Sequence, residues 1–77
     1  MNDEQRIKIL SGYLPEYYLN IYLYTLYNDT YYLPDKLKRE SGNRRKIKQV
    51  ELKKSLKELS ILMGRIILDL GGDIWEY

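Results

Sequence analysis

Arg44, Arg45 and Lys46 are three consecutive cations, and the chemistry open to such a run is recognition of phosphate. Guanidinium and ammonium groups donate charge-assisted hydrogen bonds to phosphate oxygens. Lys36, Lys38 and Arg39 lie upstream of the run, and Lys48, Lys53, Lys54 and Lys57 lie downstream. Ten cations between residues 36 and 57 face only Glu40 and Glu51, a local charge of +8 in a chain whose net charge is +2, so the remainder sums to −6. Such a split creates a directional field that draws polyanions, or an acidic protein surface, to one region.

The second group of candidate residues is aromatic. Eight of the nine tyrosines lie between Tyr13 and Tyr32, and phenylalanine is absent. A hydroxyl on every ring in this segment suits either the wet margin of a core or a contact surface. Exposed rings would also stack on unpaired bases. The reading of the segment as a helix puts Tyr17 and Tyr24 outward, and Tyr31, Tyr32 and Trp75 join them as candidates for partner contact.

Other chemistries are closed to this sequence. It contains no cysteine and no histidine, which excludes disulfides, thiolate nucleophiles, Cys/His zinc sites and imidazole acid–base catalysis. No Gly-rich phosphate loop or nucleophile elbow is present, and nothing singles out one tyrosine as a nucleophile. Asp69, Asp73 and Glu76 could approach a hard cation, but carboxylates beside a helix end are ordinarily solvated. The expectation is therefore a protein that is not an enzyme, with no cofactor and no metal. The charged N-terminus, MNDEQRIKIL, does not read as a signal peptide. The apolar stretches are shorter than the about 20 residues needed to span a bilayer, and a cytoplasmic location follows as the default.

These residues need elements to position them. Residues 3–11 suit a short helix with Ile7, Leu10 and Leu14 inward and Gly12 at its end. Pro15 and Glu16 suit the first turn of a second helix running to about Asn28. That second segment has high strand propensity, but neither parity of its residues is polar, so a half-buried strand is disfavoured. Wound as a helix, it aligns Leu19, Leu23 and Leu26 as a core stripe with tyrosines at its margins. A hairpin turning at Asn28-Asp29 within residues 22–33 is the competing arrangement. Leu33-Pro34-Asp35 begins a short helix carrying Leu37, and Ser41-Gly42-Asn43 interrupts the chain before the next element.

From Arg44 to Leu70 there is no proline, and Leu52, Leu56, Leu59, Met63, Ile66 and Leu70 recur in steps of four and three, a heptad seam. A helix over 44–70 would be about 40 Å long, whereas a compact chain of this size has a radius of gyration of about 11 to 12 Å. The seam therefore predicts a homodimer interface, with an intramolecular bundle as the alternative. Gly71 suits a left-handed helix cap, and residues 71–77 form an apolar tail.

The expected fold is all-α: one domain over 1–77 of three to four helices, with the long C-terminal helix dimerising through its seam. The expected function is regulatory binding of DNA or RNA through Lys36, Lys38, Arg39, Arg44, Arg45, Lys46, Lys48 and Lys53, presented by a helix-turn-helix-like segment over 36–57. Cations at a helix start oppose the helix dipole, and a bound phosphate would reverse that penalty. The competing function is a protein-binding adaptor or inhibitor, of the accessory type found on mobile elements, that uses the tyrosines and Trp75 without nucleic acid. No membrane contact is expected.

Overall fold

The computed structural model describes residues 2–39 and 46–71 of the 77-residue chain. The fold is all-α in class: helix α1 spans Asp3–Ser11, α2 spans Glu16–Tyr27 and α3 spans Gln49–Leu70. Two single turns of 3₁₀-helix, Thr30–Tyr32 and Asp35–Leu37, link α2 to a minimal antiparallel ribbon in which β1, Lys38–Arg39, pairs with β2, Lys46–Ile47. The ribbon register sets Lys38 opposite Ile47 and Arg39 opposite Lys46.

Local chemistry explains the boundaries. Asn2 caps α1, its side chain accepting from the Gln5 amide at 2.9 Å while the Gln5 side chain accepts from the Asn2 amide at 3.4 Å. This reciprocal pair satisfies two helix-end donors. Pro15 precedes α2 rather than entering it, and Asn28 ends that helix in the left-handed region at φ 51°. Asparagine tolerates that conformation better than most residues. The next residue, Asp29, accepts from the Tyr31 amide at 2.9 Å and opens the first 3₁₀ turn. The 22–33 segment is thus helix and turn, and the hairpin arrangement is not formed.

The heptad seam of α3 is used within the chain. Leu52, Leu59 and Ile66 are buried in the same cluster as Leu10, Leu14, Ile21, Tyr22, Leu33 and Leu37, with Leu56, Met63 and Leu70 packed half-buried against it. Leu10, Ile21 and Leu37 are completely shielded. One residue from each of α1, α2 and the second 3₁₀ turn thereby closes the core that α3 covers. The seam residues expected at a dimer interface are accordingly the inner face of a single chain.

The core face of α2 is centred on Ile21 and Tyr22, not on the expected stripe of Leu19, Leu23 and Leu26, which is half-buried. The reason lies in the surroundings of α2. It contacts α1, α3 and the first 3₁₀ turn, so apolar residues around most of its circumference find partial cover. A one-stripe reading assumes neighbours on one side only.

One polar contact ties α2 to α3 across 38 positions of sequence. The Tyr17 hydroxyl and the Ser55 hydroxyl share a 2.7 Å hydrogen bond, and Ser55 is buried. A serine on the inner face of α3 is tolerable because that bond replaces its lost water.

The molecule is elongated, at 45 × 21 × 18 Å with a radius of gyration of 13.6 Å. The 22 residues of α3 alone account for about 33 Å of that length. The helix continues through Gly64 and ends at Gly71, whose φ of 73° is the left-handed cap expected from sequence.

Two measurements check this packing. In urea unfolding, Tyr17→Phe and Ser55→Ala should each lower stability by about 1 kcal/mol, with the double variant well short of the sum because both remove the same bond. Leu59→Ala should cost about 2 to 5 kcal/mol, whereas Leu68→Ala on the opposite side of α3 should change stability by about 0.5 kcal/mol or less.

Candidate nucleic-acid interface

Among its described residues the basic segment forms a 3₁₀ turn, a short ribbon and the start of α3, not two helices joined by a turn. Lys36 lies in a 3₁₀ turn, Lys38 and Arg39 form β1, Lys46 belongs to β2, and α3 begins only at Gln49. Arg44 and Arg45 lie outside the described residues. The argument from cations at a helix start therefore shrinks to Lys48, the residue preceding α3, which makes no side-chain capping bond. The physical reason for the later start is visible at that residue. The Lys48 amide donates to the Leu37 carbonyl at 2.9 Å, extending the ribbon's pairing, while its own carbonyl accepts the first α3 bond from Leu52 at 2.8 Å. Ribbon pairing thus holds the chain extended through Lys48, and helix begins only after it.

Lys36, Lys48, Lys53, Lys54 and Lys57 are exposed. Lys38 is more constrained: its ammonium donates to the Tyr31 carbonyl at 3.3 Å and lies 3.8 Å from the Asp35 carboxylate. It acts first as a tether between β1 and the first 3₁₀ turn. The ion pair itself is at the surface, where such pairs contribute little. Lys36 places its ammonium 5.8 Å from the centroid of the Tyr17 ring, a cation–π distance.

The tyrosines divide differently from the sequence expectation. Tyr17 is engaged by Ser55, by Lys36 and by an edge-to-face contact with Tyr18 at 5.0 Å, and Tyr24 is half-buried against the core. Neither is a free contact ring: Ser55 of α3 and Lys36 engage Tyr17, and Tyr24 packs on the core cluster. Tyr31 and Tyr32 do remain candidates, with Tyr31 72% exposed. Tyr27, which the sequence reading placed at a core margin, joins them: its ring lies 5.2 Å from that of Tyr32, and Tyr32 meets Tyr31 edge-on at 5.2 Å. The left-handed Asn28 and the Asp29 cap turn the chain back so that these three rings gather. Turn-forming residues were legible there, but which rings the turn would bring together was not. Tyr13 is also exposed, apart from this group in sequence. Trp75 lies outside the described residues.

Beside the three rings is an open cleft of about 470 Å³ lined by Asn20, Tyr31, Tyr32, Leu33, Pro34, Asp35 and Lys38. Its walls offer an amide, two phenol rings, one ammonium and one carboxylate. That set suits a planar group with hydrogen-bonding edges. It is ill suited to a bare anion, since Asp35 offsets Lys38. Among the described residues no cluster of three or more metal-ligating side chains occurs, and no helix is long and apolar enough to cross a membrane.

Comparison of the chain with family models, with curated proteins and with solved structures found no match.

The Asp29 cap organises this group of rings. Asp29→Ala should cost about 0.5 to 2 kcal/mol and, in amide hydrogen exchange, should speed exchange at Tyr31 and Tyr32 more than at Leu10 or Ile21.

Proposed function

We propose that this protein is a small, non-enzymatic nucleic-acid-binding protein with a regulatory role, and that its preferred target is single-stranded. The reading is carried by one juxtaposition: a group of phenol rings, the exposed Tyr27 and Tyr31 with the half-buried Tyr32 between them, adjoins the start of the segment that holds ten of the chain's thirteen cations. Bases stack on aromatic faces without regard to sequence, and neighbouring cations follow the phosphates. Tyr31 and Tyr32 are the stacking surface in this reading. Lys36, Lys48, Lys53 and Lys57 supply phosphate contacts from exposed positions, and Arg39, Arg44, Arg45 and Lys46 extend the charge along the same stretch of sequence. Lys38 positions the first 3₁₀ turn and takes a smaller part in binding.

A duplex reader would use an element inserted into a groove with side chains aimed at base edges. The ribbon's described strands are two residues each, and the cations along α3 are mixed with Glu51 and Glu58 on its surface. Charge and stacking together favour unpaired bases over a duplex. The competing reading, a protein-binding adaptor, uses the same exposed tyrosines against a protein surface and predicts binding that survives nuclease treatment.

Binding to single-stranded DNA, RNA and duplex DNA, each titrated with salt, tests the proposal. Affinity should fall steeply with salt, by a log–log slope of about 0.7 for each phosphate neutralised on a single strand. Tyr31→Ala and Tyr32→Ala should each weaken single-strand binding by about 1 to 3 kcal/mol without changing the slope. Lys53→Glu combined with Lys57→Glu should weaken binding and flatten the slope. Salt-insensitive binding, or none to any of the three, would overturn the proposal.

A further inference from the structure

The side of α3 turned away from the core carries Ile61, Gly64 and Leu68. At 100° per residue these three fall within about a 60° arc on the side opposite Leu59, Ile66 and Leu70. Ile61 is 53% and Leu68 82% exposed. Among the described residues nothing packs on Gly64: a Cβ added there would meet nothing within 4 Å, and its φ is not in the left-handed region. Glycine in a helix interior is unfavourable by about 1 kcal/mol relative to alanine. A glycine on an open helix face leaves room for close approach of a second helix.

Two charges say what that is. Glu58 and Arg65 are exposed, seven residues apart on one edge of this face, and neither forms an ion pair among the described residues. Residues one heptad apart on one edge meet each other when two copies of a helix pack antiparallel. We propose that two copies of this chain associate through this face, with their α3 helices antiparallel about a two-fold axis near residues 62 and 63. Ile61 of each copy seats over Gly64 of the other, where the missing side chain allows close approach of the helices. Leu68 packs on the methylene stem of Lys57 of the second copy. Glu58 of each copy then faces Arg65 of the other, so one contact is made twice, as a two-fold interface requires.

The parallel, in-register alternative opposes Lys54 with Lys54 and Lys57 with Lys57, and leaves Glu58 and Arg65 apart. The antiparallel arrangement also sends the two basic segments to opposite ends of the dimer, which relieves their mutual repulsion. About three turns of each helix take part. That places the interface in the small class, below about 1,200 Å² in total, so association is weak and concentration-dependent. This interface is distinct from the heptad seam, which the core already uses.

Sedimentation equilibrium of the full chain at low salt, from micromolar to millimolar concentration, tests the proposal. A reversible monomer–dimer equilibrium is expected. Gly64→Gln should weaken association while raising the thermal stability of the dilute protein, which separates loss of the interface from loss of fold. Glu58→Arg and Arg65→Glu should each weaken association on the order of tenfold, through two lost attractions and two new repulsions. The combined Glu58→Arg/Arg65→Glu protein should recover it. A monomer at every concentration, a dimer indifferent to Gly64→Gln, or a double reversal that fails to recover association would each overturn the proposal.

Discussion

Burial of the α3 leucine stripe inside a single chain is the constraint from which the rest of this structure follows. A 22-residue helix is longer than a compact globule of this size would accommodate. It nevertheless finds cover for Leu52, Leu59 and Ile66 because α1, α2 and the second 3₁₀ turn each contribute a completely buried aliphatic residue to the same cluster. The elongated shape is the geometric consequence. So is the part-buried hydrogen bond between Tyr17 and Ser55, which is possible only with α2 lying on the inner face of α3.

Once that face is committed, the remaining surface sorts itself. Tyr17 and Tyr24 are drawn into partial burial against the core, whereas Tyr27 and Tyr31, at the end of α2 and beyond it, stay exposed and pack on the half-buried Tyr32. The ribbon pairs Lys38–Arg39 with Lys46–Ile47, so Lys38, Arg39 and Lys46 lie ahead of α3 and not within it. Phosphate attraction in the proposed function therefore comes from accumulated charge on exposed lysines. It does not come from a helix dipole with arginines at its positive end.

Elements governed by local chemistry were legible in the sequence. The α1 boundary at Ser11, the helical identity of α2, the turn at Asn28-Asp29-Thr30, the short helical turn carrying Leu37 and the Gly71 cap all follow from residues within a few positions of one another. The α3 seam was equally legible as a stripe of apolar residues, but its partner was not. Heptad spacing records that a face must be covered and not whether the cover comes from the same chain. The start of α3 was hidden because it depends on the Lys48 amide reaching the Leu37 carbonyl across the ribbon, a non-local bond that helix propensity cannot register. For the candidate site, the cations and Tyr31 and Tyr32 were visible by type. The recruitment of Tyr27 and the diversion of Tyr17 to Ser55 depend on the assembled fold.

The most direct measurement of the central claim is an isotope-filtered nuclear Overhauser experiment on an equimolar mixture of labelled and unlabelled protein, read at Tyr17 and Ser55. If the α3 stripe is covered by its own chain, contacts between the Tyr17 ring and the Ser55 β-protons arise only within one molecule and persist on dilution. Contacts between labelled and unlabelled chains at this pair would show that the stripe is shared between copies, and would contradict the account.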